Sequence, residues 1–283
     1  MELFVAMRVR PFALVTTCFL TFSWAGGLLL AQDPEKAPFD PSKAQEGGLG
    51  MPSPYDKFLA LNQLVEEGMI DWRGLYRGVA VGIDPDQWSD TEVGIPLVLG
   101  LRIADGIMAI QARDAELLSG AANDIEKLAM KLGVTDEELE RARTVRTYAN
   151  QGEWLRVFME LGFLQQDILK TVARAENSVR GDLMIASGWL QGARYTTQIV
   201  LDNYGTEVSN TLREPLMVDA IAKKLQEQPA STKETAPVAM LLSSLPEIKE
   251  IINVGLDDPV PQAGVERIKQ LADAYAQAVL NSF

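Results

Sequence analysis

Three observations on this 283-residue chain predict an all-α fold. Apolar residues recur at three- and four-residue spacing over most of it, helix starts and stops carry capping residues, and alternating strand patterns are scarce. The composition, 47% hydrophobic and 23% charged, is that of a folded protein with enough apolar mass to bury a core. The expected architecture is a helical bundle.

Residues 1–31 read as a secretory signal peptide. Arg8 and Arg10 precede an uncharged stretch from Pro11 to Leu30, and Ala31 supplies a small residue at a cleavage point. Ser23-Trp24-Ala25 is a second candidate cleavage site, and Met7-Arg8-Val9-Arg10 is a more typical opening than Met1-Glu2-Leu3-Phe4. The alternative is an uncleaved membrane anchor, since about 20 apolar residues can span a bilayer. Residues 32–52, with Pro34, Pro38, Pro41, Pro52 and the run Gly47-Gly48-Leu49-Gly50, form a Pro/Gly-rich linker.

Helices follow in order. Ser53-Pro54 opens a first one that Gly68 closes, and Asp71 to Ile83 is a second despite Gly74, Gly78 and Gly82. A turn at Asp84-Pro85-Asp86 leads to a long helical region from Asp90 to Leu132, broken near Arg113 or Gly120 and ended by Gly133. Thr135 with Glu138 reads as a capping box opening a polar helix that ends near Gly152. From Glu153 the apolar stripe Trp154, Val157, Phe158, Leu161, Leu164, Ile168, Val172 defines the most regular helix. Helices are then expected over Asp182–Tyr204, Pro215–Gln226, Met240–Leu245 and Pro246–Val254. A final amphipathic one has the stripe Val265, Ile268, Leu271, Tyr275, Val279.

At an offset of 92 residues Gly100-Leu101-Arg102 aligns with Gly192-Ala193-Arg194 and Ile107 with Ile199. This weak repeat suggests two related helical halves, 53–152 and 153–283, with one compact domain as the alternative.

Composition excludes several chemistries. The chain has no histidine, so Ser-His-Asp and Cys-His nucleophiles, HExxH zinc sites and histidine-ligated haem are set aside. Its one cysteine, Cys18, lies in the N-terminal apolar run. Losing residues 1–31 removes Glu2, Arg8 and Arg10, leaving 24 basic and 38 acidic residues and a net charge of −14. Such a chain repels phosphate backbones, so no nucleic-acid partner is expected. No later segment reads as membrane-spanning, because the longest apolar stretch, Val93 to Ile110, carries Arg102 and Asp105. No GxSxG, P-loop or GxGxxG occurs, and no cofactor is implied.

The charges inside that apolar stretch are the most informative residues. A helix apolar nearly all round is buried, so Arg102 needs a partner, which Asp105 supplies at i+3. Arg194 has no acid at i±3 or i±4. Either Arg102 and Arg194 face a pocket for a small anionic ligand, shaped by Asp105 and Tyr195, or Arg194 pairs with a distant Asp or Glu. A second candidate is the acidic turn Asp84, Asp86, Asp90, Glu92, which has calcium's preferred ligands. The EF-hand pattern fails, since Ser89 and Ile95 stand where glycine and glutamate are required. These residues equally suit a turn and a first helical turn.

The expected function is an exported soluble helical protein, periplasmic or extracellular, with a binding or envelope-scaffold role. Its partner would be another protein or a small anion, and enzymatic activity is not the favoured reading. The competing classes are an exported hydrolase using a pair of carboxylates and a calcium-stabilised envelope protein.

Overall fold

The computed structural model describes residues 69–283, apart from 91, 138, 175–177 and 256, together with Leu61 and Gln63. The expected signal peptide and linker lie outside the described residues. Of the expected first helix, Leu61 and Gln63 are helical, with Leu61 fully buried. The protein is an all-α helical bundle, with no strand among the described residues.

Helix α1 is Trp72–Val79, started by Asp71, whose side chain accepts from the Gly74 amide at 2.9 Å. It stops at Ala80, short of the expected Ile83, because residues 79–81 give their backbone to side chains of other helices. A 3-10 turn, Pro85–Gln87, follows Asp84. Helix α2, Gly94–Gln111, and α3, Ala115–Lys131, are separated at Arg113, whose φ of 47° is left-handed, while Asp114 caps α3 at the Glu116 and Leu117 amides. Gly133, at φ 90°, closes α3, and Gly120 stays within it.

Helix α4, Glu140–Asn150, begins later than Thr135. Asp136, Glu137 and Leu139 lie in a turn instead, and the glutamate of the expected capping box, Glu138, lies outside the described residues. Then come α5, Trp154–Arg174, α6, Ser178–Asp202, the short α7, Thr206–Asn210, α8, Pro215–Gln226, and the short α9, Ala230–Lys233. One continuous helix, α10, Ala236–Ile252, replaces the two expected on either side of Pro246. Its buried stripe Val238, Leu241, Leu245, Ile248, Ile252 runs straight past the proline, which sits on the exposed face. Helix α11, Gln262–Ser282, completes the chain.

Helix α2 is the axle of the bundle. Every residue from Gly94 to Ile110 is buried, and α6, α3, α1 and α11 all pack on it. Its apolar side chains Leu97, Leu99, Leu101 and Met108 are fully excluded from solvent, each contributing about 1.5–3 kcal/mol by burial. The broadest of these contacts joins α2 to α6 and depends on two glycines. A Cβ on Gly100 would collide with the Met184 carbonyl oxygen and stand 2.9 Å from the Gly188 nitrogen. A Cβ on Gly188 would stand 3.1 Å from the Gly100 oxygen. Ser187 ties the same crossing by donating to the Leu97 carbonyl at 2.6 Å. Gly100 thus meets Gly188, four positions before its counterpart in the repeat, Gly192.

Gly100→Ala should therefore destabilise the protein by about 1–3 kcal/mol, the cost of overpacking a tight contact. Gly78→Ala, on the open side of α1 with nothing within 4 Å of the added carbon, should be neutral or stabilising by up to about 1 kcal/mol. Urea denaturation midpoints of the two variants check both.

Candidate functional site

The α2–α6 crossing aims polar side chains from both helices at the backbone that leaves α1. Asp105, just past the middle of α2, is fully buried. Its Oδ1 accepts from Gln191 Nε2 and from the Tyr195 hydroxyl, each at 2.7 Å. Its Oδ2 accepts from Arg102 Nη1 at 2.8 Å and from the Val81 amide at 3.1 Å. Four donors thus converge on one carboxylate, and none of these contacts needs a proton on the acid.

The two arginines extend the network outward. Arg102 Nη1 also donates to the Val81 carbonyl at 3.0 Å, and Nη2 reaches Asp124 Oδ2 on α3 at 2.7 Å. Arg194 Nε donates to Asp273 Oδ1 on α11 at 2.7 Å, and Nη1 donates to the Val79 carbonyl at 2.8 Å and to Gln191 Oε1 at 2.9 Å. Lys269, one turn before Asp273, donates to the other oxygen of that acid at 2.7 Å. Three cations, Arg102, Arg194 and Lys269, therefore meet three carboxylates, Asp105, Asp124 and Asp273. The backbone from Val79, the last residue of α1, through Ala80 to Val81 is held among them as a strap.

Electrostatics follow the burial. Desolvation pushes the Asp105 carboxyl up, against the pull of Arg102 and of the hydrogen bonds from Tyr195, Gln191 and the Val81 amide. Tyr195 is held well above the usual phenol range by burial and by the adjacent Asp105 charge, which keeps it a donor. Desolvation alone would lower Arg102, yet the charges around it, Asp105 foremost, hold its guanidinium above the ordinary range. Burial also acts to raise Asp273, but hydrogen bonds from Lys269 and Arg194 outweigh it and leave this acid below its ordinary value.

All four residues of the proposed anion pocket, Arg102, Asp105, Arg194 and Tyr195, are thus brought together, but they face one another and the strap. The distant acid that Arg194 lacks locally is Asp273, 79 residues on. None of Asp273, Asp124 and Gln191 is singled out in the sequence analysis. The signal for Gln191 was present: it stands at i−3 from Arg194 on the same helical face.

The acidic turn is used differently. Asp84 accepts from the Asp86 amide at 3.1 Å and from Gln87 Nε2 at 3.2 Å. Asp86 pairs with Lys127 at 3.1 Å, Asp90 accepts from the Glu92 amide at 2.9 Å and the Val93 amide at 3.3 Å, and Glu92 pairs with Arg180. Among the described residues, no group of three or more acidic, histidine or cysteine side chains is placed to hold a metal ion.

No protein-family model matches the sequence, and neither a curated protein nor a solved structure is significantly similar to it.

Asp105→Asn keeps the shape but turns an amide NH2 toward donors and strips Arg102 of its innermost counter-charge. A loss of about 3–5 kcal/mol is expected in denaturant titration, as for other broken buried pairs. Asp273 makes a pH prediction with a definite sign. Its folded value lies below its unfolded one, so the stability it supplies is present above the unfolded range and is lost as pH falls through the folded value. Denaturation midpoints measured from about pH 6 down to pH 2 should fall more steeply for the wild type than for Asp273→Asn, the two curves converging at the acid end.

Proposed function

We propose that this is an exported bacterial helical protein, periplasmic or extracellular, that acts by binding at its surface in a scaffold or interaction role, without catalysis. The observation that carries this reading is that Asp105, the fully buried acid of the centre, is engaged on both oxygens from within the chain, although Arg102 Nε is left as a buried donor without a partner. Both oxygens of Asp105 are taken by four donors, and Arg102 and Arg194 are each committed to carboxylates and to the strap. A general acid or base has to exchange a proton with a substrate atom within hydrogen-bond reach. Here that reach is filled from within the chain. A small anion that took Arg102 from Asp105 would leave that fully buried acid without its counter-charge, replacing one carboxylate by another at a net cost.

Export is supported by the order of Arg8 and Arg10, an uncharged apolar run and a small residue before a polar linker. The acidic balance of the remainder favours a soluble protein and disfavours nucleic-acid or anionic-membrane partners.

Native and intact-mass spectrometry of the full chain produced in an exporting host tests both parts. The expected result is a polypeptide shortened by the N-terminal apolar segment, whose native mass carries no small molecule. Retention of residues 1–31 on a cytoplasmic product would overturn export. An added anionic mass that disappears in Arg194→Gln would overturn the surface-acting reading.

A further inference from the structure

Helix α5 has two apolar faces. Val157, Leu161 and Leu164 are buried against the bundle. On the opposite side, within about 40° of one line down the helix, Leu155, Met159 and Phe163 stand 74%, 53% and 36% exposed. The inner three lie about 140–200° away from that line. A helix resting on a core needs only one apolar stripe and ordinarily turns polar residues to solvent. Leu155, Met159 and Phe163 at i, i+4 and i+8 are three successive turns of a docking face.

The charges beside the stripe indicate what covers it. Arg156 and Glu160 both flank it on the same side, about 60° and 100° round from Met159. Arg156 is the more exposed, at 63%, and within the chain it pairs with the neighbouring surface acid Glu153 at 2.7 Å and lies 5.3 Å over the Tyr148 ring. Glu160 is held by Arg141 at 2.8 Å, and the same Arg141 lies 5.2 Å over the Phe163 ring, fixing the edge of the face.

We propose that this face pairs with the same face of a second copy of the chain, α5 running antiparallel to α5 about a two-fold axis at Met159. That symmetry sets Leu155 against the partner's Phe163 and the reverse, so the whole stripe is covered by itself. It sets Arg156 within about 3 Å of the axial height of the partner's Glu160, and because antiparallel pairing brings like flanks together, the ion pair forms twice. A lipid surface offers nothing to match a flank carrying both signs, and the chain's net charge of −13 repels anionic headgroups. Three turns of helix are a small contact, so the dimer belongs with weak, concentration-dependent interfaces below about 1,200 Å². This inference names a partner for the surface-acting protein proposed above and rests on that reading.

The test uses the full chain with Cys18→Ser, so that an introduced cysteine is the sole thiol. Met159→Cys sits on the axis, and mild oxidation should cross-link it to its own copy about tenfold more than Leu216→Cys. The latter is 83% exposed on α8 and controls for random collision. Adding Arg156→Glu to the Met159→Cys chain should cut its disulfide-linked dimer about tenfold, and adding Glu160→Arg together with Arg141→Gln, which removes the like charge Glu160→Arg would otherwise meet, should restore it. Circular dichroism confirms that each variant is folded. Equal cross-linking of the Met159→Cys and Leu216→Cys chains, or a charge reversal without rescue, overturns the self-pairing. Capture of a different protein by the Met159→Cys chain also overturns it but leaves surface binding standing, whereas no cross-link to any protein counts against both.

Discussion

Everything in this bundle is arranged around one carboxylate. Asp105 sits on the most buried helix, where an uncompensated charge would cost several kcal/mol, and it is tolerated only because four donors reach it from three separate parts of the chain. Each donor dictates something. Tyr195 and Gln191 set the rotation of α6 about its axis, Arg102 must fold back along α2, and the Val81 amide requires α1 to end and the chain to run extended. A network of this kind rewards completeness, since a half-satisfied buried polar cluster is worse than an apolar one.

The sequence made the local half of this legible. Arg102 and Asp105 are three residues apart on a helix apolar all round, so their pairing follows from periodicity alone. Helices with strong stripes and clear stops, such as Pro215–Gln226, are likewise found where the spacing places them. The non-local half was not legible. Asp124 and Asp273 are ordinary surface-type acids on amphipathic helices, and nothing within one turn of either marks it as the partner of a buried arginine. Pro246 misled for the opposite reason: a local breaker was overruled by an apolar stripe that runs unbroken through the helix. On α5 the inner stripe accounts for the helix by itself, so periodicity alone does not mark Leu155, Met159 and Phe163 as a second face.

Because the three cations and three carboxylates at the centre cancel, the chain's excess of negative charge belongs to its outer shell. Added salt screens that shell over a Debye length of about 8–10 Å and leaves the buried Arg102–Asp105 pair largely untouched. The two populations of charge therefore do separate jobs: the inner set specifies how helices meet, and the outer set gives the chain its acidic character.

The reach of the central network along the chain has a consequence for how the protein folds. Asp105 waits for Tyr195, 90 residues later, and Arg194 in turn waits for Asp273, 79 residues beyond it. Such contacts carry a loop-closure cost before they give anything back. The four donors of Asp105 are all present once α6 has been made, whereas a chain still lacking α11 holds Arg194 without the acid that pairs with it, so the inner carboxylate can be enclosed before the outer arginine finds its counter-ion on the last helix.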